Sequence, residues 1–383
     1  MSAASPSRLP WVDHLRTAMI VLVVNMHACV TYSHVGDWYM TSAIEPSLAA
    51  KVPFIVWQSL LQSFFMGLLF FLAGYFAAGS LARRGPSGFA RERLFRLGLP
   101  ALLYMLVIHP FILLGLDPWD YDFGPRAAWY AHYLSSGHFL GSSGPLWFAV
   151  ALLMFCLALT ALESALGAGR SAPAPAAPAA SPSGKGLLGF ALLLGLGSFA
   201  VRLVQPIGTN ILNLQLCFFV QFVAWFAAGV HAGRRGWLLP LASSRAARTA
   251  GWLALIGGPL ALLALLAVGM QHAPKDAFFG GWHWPAFGLA VWEQLTGLGL
   301  ALGALALFSR RLNAGTTAWR WLGDRSFAVY VLHAPVLVAL AMLFRKLPYY
   351  LYGLVALLTL VGLIVSYAFA DLARRIPGLR AIL

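Results

Sequence analysis

Ten stretches of this chain are each apolar enough and long enough to cross a lipid bilayer as a helix, and that property excludes almost every other architecture. They run at approximately 15–33, 54–79, 98–116, 144–166, 186–204, 214–232, 250–270, 285–308, 326–344 and 349–370. In hydrocarbon a backbone must satisfy its own N–H and C=O groups, so only helices and closed barrels span, and runs of about 20 residues are of helix length. Only 10% of the 383 residues are charged and 60% are hydrophobic, a balance foreign to soluble domains. The expected fold is an all-α polytopic membrane protein with about ten transmembrane helices. The first run is too long for a signal-peptide core and lacks a small-residue cleavage site, so it is expected to remain in the mature chain.

The net charge of +14 invites a nucleic-acid reading, but the basic residues fall in short clusters between apolar runs, which is a topology signal. With the N-terminus in the cytoplasm, 20 of the 26 Lys and Arg lie on that side. The other six are Lys51, Arg126, Arg202, Lys275, Arg345 and Lys346. This split predicts both termini inside, with the bilayer as partner and no nucleic acid. Cys29, Cys156 and Cys217 all lie inside apolar runs, in a pattern that suits neither a disulfide framework nor a zinc site. Residues 171–184, "SAPAPAAPAASPSG", read as a disordered Ala/Pro-rich cytoplasmic linker within an otherwise single unit, 1–383. The longest outer loop, about 117–143, opens on Asp117, Asp120 and Asp122 with aromatics between them. Such a surface suits a solvated rim, with a sugar-binding surface as the alternative.

Charge near the bilayer centre costs at least about 2.5 kcal/mol per residue, so ionisable groups there usually face a cavity or a partner. The first run, "VDHLRTAMIVLVVNMHACVTYSH", contains several. Eleven residues separate Arg16 from His27, which places them about 20° apart around a helix axis and about 16 Å apart along it. Asp13 and His34 fall within about 40° of His27 by the same arithmetic, so one face carries four polar residues and implies a hydrated path. A histidine hydrogen-bonded inside the bundle is the bland alternative. Asp13, three residues before Arg16, is placed to hold it by an ion pair. Glu293 in "AVWEQLTGLGL" is a deep carboxylate that can pair with a histidine or with Arg202, or accept a proton. His333 in "YVLHAPVL" is a third buried candidate. Arg93 and Arg96, one turn apart in "RERLFRLGLP", suit phosphate groups, although positive-inside bias alone would also supply them. No Walker loop, dinucleotide fingerprint or metal-ligand spacing occurs, so no metal or permanently bound cofactor is expected.

These residues resemble the acyltransferase family 3 of multi-span membrane enzymes, and within it the branch that acylates periplasmic glucans. The resemblance rests on an ordered set: the Arg16-to-His27 spacing, "EPSL", "QSFFMGLLFFLAGYF", "RERLFRLGLPAL", "GPLWF", "SFAVYVLHAPVL" and "ARRIPGLR". It implies acyl transfer from a cytoplasmic acyl-CoA, usually acetyl-CoA and alternatively a succinyl donor, to a hydroxyl of an extracytoplasmic carbohydrate. Carried over by position, His27 is the catalytic histidine with Arg16 as its motif partner, and Arg93 and Arg96 handle the donor. Glu293 joins the expected catalytic set, while Asp13, His34, Trp147, Arg202 and His333 are expected to contact substrate. The rival reading is a multi-span transporter of a small solute or lipid-linked glycan, and a further one is a non-catalytic envelope subunit. Nothing in the sequence sets the acceptor or an oligomeric state.

Overall fold

The computed structural model describes residues 9–120, 122–166 and 181–383. Most of the expected linker, through residue 180, therefore lies outside the described residues, as do Tyr121 and the side chain of Asp120. Among the described residues the secondary structure is helical, apart from one isolated bridge between Ile211 and Leu214.

Among the described residues, nine helices are long and apolar enough to cross a membrane, and they account for all ten apolar runs. The second, Leu48–Pro118, has 71 residues and merges two runs. A straight helix of that size would be about 106 Å long, more than three hydrocarbon thicknesses. It is broken at Gly85, whose φ of 70° and ψ of 171° no helix tolerates, with Pro86 following. Before the break, α2 (Leu48–Arg93) runs alongside α8 (Phe219–Arg235), with Gly67 at Trp225 and Gly74 at Val230. After it, Gly98 meets Leu153 and Tyr104 meets Gly144, so the chain now runs antiparallel to α6 (Trp147–Ala165) and back across the slab. The break thus makes two crossings from one helical stretch.

Small residues permit the closest helix contacts, as expected where hydrocarbon offers no hydrophobic drive for helices to associate. A Cβ on Gly229 of α8 would lie 2.0 Å from the Phe71 carbonyl oxygen, and one on Gly74 of α2 would lie 2.2 Å from the Phe226 oxygen. The remaining spans are α1 (Pro10–Ser33), α7 (Gly184–Arg202), α10 (Arg245–His272), α11 (Trp284–Arg311), α12 (Thr317–Phe344) and α13 (Leu351–Ala373). The lower end of α1 is pinned by His14, which bonds the Leu312 carbonyl at 2.6 Å and stacks on Trp319.

The second half of the Leu48–Pro118 stretch is not a regular helix. It widens into π-helical turns at Leu94–Gly98 and Tyr104–Ile108, which flank α3 (Leu99–Leu103) and lead into α4 (His109–Asp120). The His109 N–H reaches back to the Tyr104 carbonyl, which strands that of Met105. Pro110 has no N–H to give Leu106. Tyr133 and Tyr130 donate to these two carbonyls at 2.5 and 2.8 Å, docking α5 (Arg126–Ser135) against the span. The expected long outer loop therefore contains a short helix, held by backbone acceptors that the π turn and the proline release.

Candidate active site

Helices α1 and α12 bring two histidines together, toward the C-terminal end of α1. His27 Nδ1 lies 3.0 Å from His333 Nε2, with the rings nearly coplanar at 17° and their centroids 5.1 Å apart. His333 is fully buried, and its Nδ1 lies 2.8 Å from the carbonyl oxygen of Tyr330, one turn earlier. Tyr330 in turn donates to the Pro145 carbonyl at 2.5 Å. No third His, Cys, Asp or Glu joins the pair into a metal-binding group among the described residues.

The other face of His27 is covered by Trp38, whose ring stacks at 3.8 Å and 15°. The loop after α1 turns back to deliver it. His34 ends the helix in the left-handed region and Gly36 follows at φ 105°, a value that favours glycine. The fold-back is tied by the Ser42 N–H, which donates to the Thr31 carbonyl at 2.7 Å. Tyr39 follows Trp38 and bonds both the Tyr104 hydroxyl and His109 Nδ1 at 2.8 Å. Burial pushes the Tyr39 phenol well above its ordinary range, so it stays protonated. Gly144, at φ 49°, packs against this network, where a Cβ would sit 2.4 Å from the Tyr39 hydroxyl. "GPLWF" thus serves the site through Gly144 and the Pro145 carbonyl. Trp147 itself stacks on Phe222, at 5.4 Å.

At the other end of the stripe, Arg16 is exposed over 52% of its side chain. His27 is partly buried. Asp13 stands 4.0 Å from Arg16, a loose pair one turn away. Arg93 lies close enough to Arg16 to act on it electrostatically, with its guanidinium 4.9 Å over the Phe89 ring and a buried Nε without a protein partner. Arg96 points elsewhere: it is 64% exposed and lies 3.8 Å from Glu92, which also holds Arg84 at 3.1 Å. The two expected donor arginines are therefore unequal, with Arg93 facing inward and Arg96 at the surface. A separate cavity of about 820 Å³ lies among Arg325, Asp371, Arg374 and Arg380, and its walls do not include His27.

His34 leaves the shared face, because the helix on which the angular arithmetic depends stops at Ser33; its ring bonds Ser42 Oγ at 3.2 Å instead. Glu293 pairs with Arg202 and not with a histidine, in a buried ion pair at the α7–α11 interface. The Arg202 guanidinium lies over Phe218, and a relay of rings through Phe222, Phe70 and Phe148 separates it from Tyr330. These two residues form a second polar centre, apart from the histidines. Trp38, Tyr39, Tyr104, His109 and Tyr330 were not singled out by sequence reasoning. Of these, only Tyr330 carried a local signal, being one helical turn from His333.

No curated protein and no solved structure matches the chain. A family model described as an acyltransferase domain matches residues 9–373. With the match running from the first turn of α1 to the end of α13, the chain belongs to the acyltransferase family 3 and is a membrane O-acyltransferase of the non-aminoacyl kind.

Proposed function

We propose that this enzyme moves an acyl group, acetyl or alternatively succinyl, from cytoplasmic acyl-CoA to a hydroxyl of an extracytoplasmic carbohydrate, in a bacterial-type inner membrane. The observation that carries the reading is the face of α1, along which an exposed Arg16 and a partly accessible His27 stand three turns apart. Family membership favours chemistry over transport along that face.

The phosphates of CoA suit Arg93 and Arg16, two guanidiniums from different helices held near each other on the basic side. The uncharged pantetheine arm would follow the stripe and bring the thioester to His27. Because Nδ1 of His27 faces His333, Nε2 is the nitrogen left for the acceptor. That nitrogen takes the hydroxyl proton as the oxygen attacks the thioester carbonyl carbon. A C–O bond forms and the C–S bond breaks. The proton then passes to the thiolate sulfur, so the products are an ester and the CoA thiol. His109, Tyr39 and Trp38 lie on the outer side of His27, where aromatic faces and hydroxyls suit a sugar ring.

Mass spectrometry of envelope glycans from cells with and without the gene tests both donor and acceptor, since acetyl and succinyl groups differ in mass. Complementation with His27→Ala is expected to restore no acylation although the protein inserts normally. Full restoration by a well-inserted His27→Ala protein would remove His27 from the chemistry.

A further inference from the structure

The hydrogen bonds around His333 determine which nitrogen of His27 carries the proton. A carbonyl oxygen can only accept, so the 2.8 Å contact of His333 Nδ1 with the Tyr330 oxygen requires a proton on that Nδ1. With the ring neutral, Nε2 of His333 then carries a lone pair. The atom facing that lone pair at 3.0 Å is Nδ1 of His27, which must therefore be the donor. The remaining nitrogen of His27, Nε2, keeps its lone pair. The opposite assignment, with His27 Nδ1 as acceptor and both rings neutral, would set the His333 Nδ1 lone pair against that of the Tyr330 carbonyl.

We infer that His333 is a positioning residue that, through the Tyr330 carbonyl, holds His27 as the Nδ1–H tautomer and keeps Nε2 as the base for acyl transfer. This rests on the reading of His27 as the base. The arrangement has the logic of a catalytic triad whose orienting carboxylate is replaced by a second histidine braced on a backbone oxygen. Its frame is rigid. Tyr330 is anchored to Pro145, His333 has no exposed surface, and the Trp38 face prevents the His27 ring from tipping out of the plane it shares with His333. When Nε2 takes the acceptor's proton, the positive charge on His27 is met by the His333 lone pair. The Nδ1 proton stays on His27, and the Nε2 proton leaves to the thiolate, so His333 ends the cycle unchanged.

The test is ¹⁵N NMR of the full chain, histidine-labelled and reconstituted in lipid nanodiscs, with His27 assigned by its loss in His27→Gln. In the wild type above the titration range, His27 Nδ1 is expected at the protonated shift and Nε2 at the unprotonated shift. His333→Phe removes the acceptor and should mix the tautomers or shift the proton to Nε2. His333→Gln, whose amide oxygen accepts, should restore the wild-type pattern. CoA thiol release from acetyl-CoA or succinyl-CoA should fall about tenfold in kcat for the Phe variant, the size of one lost hydrogen bond, with KM for the donor little changed and partial recovery in Gln. Wild-type His27 carrying its proton on Nε2, or an unaltered tautomer in a folded His333→Phe protein, would overturn the inference. If the Phe variant does not fold, the wild-type spectrum still decides. Loss of acyl transfer from both donors in the wild type would instead sink the functional reading and leave the spectra to judge the relay.

Discussion

The pair formed by Arg202 and Glu293 gives the sharpest energetic test of how this bundle is built. Both side chains are removed from water, at 0% and 6% exposure, and they meet in one close contact. The contact is incomplete: Nε and Nη1 of Arg202 and Oε1 of Glu293 find no partner among protein groups. Removing one member of such a pair leaves a buried uncompensated charge, which costs about 3–5 kcal/mol, whereas replacing both by apolar residues of similar volume is often neutral or stabilising. Arg202→Met alone, and Glu293→Leu alone, should therefore each destabilise by about 3–5 kcal/mol. The double variant should lie within about 1 kcal/mol of wild type, which makes the coupling at least about 5 kcal/mol. Reversible unfolding of the four proteins in bicelles closes the cycle. Additive losses would refute the argument, because they would mean that the two charges are stabilised independently of each other. The same double variant decides a chemical question. The sequence placed Glu293 among catalytic residues; in the structure it pairs with Arg202, and phenylalanine rings lie between that pair and Tyr330. A stable double variant that retains acyl transfer supports the structural role, and a stable one that loses it returns Glu293 to the mechanism.

Gly229→Val should destabilise the bundle by more than about 3 kcal/mol, since even its Cβ would lie 2.0 Å from the Phe71 backbone oxygen; near-wild-type unfolding would contradict the α2–α8 contact. Arg93→Ala should raise the apparent KM for acyl-CoA about tenfold or more, and Arg96→Ala by less than about threefold, because only Arg93 faces Arg16; equal effects would reject that distinction. Tyr39 has a folded-state pKa raised by burial, so its contribution to stability is complete below its ordinary value of 10.0 and is lost as pH rises above it. Alkaline unfolding should therefore start at higher pH in Tyr39→Phe than in wild type, and coincident curves would show that the phenol is not linked to folding.

Much of the architecture was readable residue by residue. The apolar runs found their helices because span length and backbone satisfaction depend on local composition alone. The one merger, at Leu48–Pro118, arose because helical geometry persists on either side of Gly85, while hydropathy registers two crossings. The face shared by Arg16 and His27 was equally legible, since one continuous helix relates them through a fixed rotation. His34 was misplaced by that arithmetic for the complementary reason: a helix end at Ser33 is decided by the loop that follows, which must turn Trp38 back onto His27. The inequality of Arg93 and Arg96 also needed neighbours, namely Phe89 and Arg16 for one and Glu92 for the other.

By itself, then, the sequence determined the class of fold, the polar stripe on α1 and the presence of basic groups at one side, because each follows from periodicity and charge within a single segment. Only the tertiary structure decided which residues complete the site. His333 reaches His27 across 306 positions of chain, Tyr330 braces it on Pro145, and Glu293 is claimed by Arg202. Those pairings depend on how helices rotate and slide against one another, set here by glycines that admit close contact and by prolines that release carbonyls. No pattern within one helix carries that information.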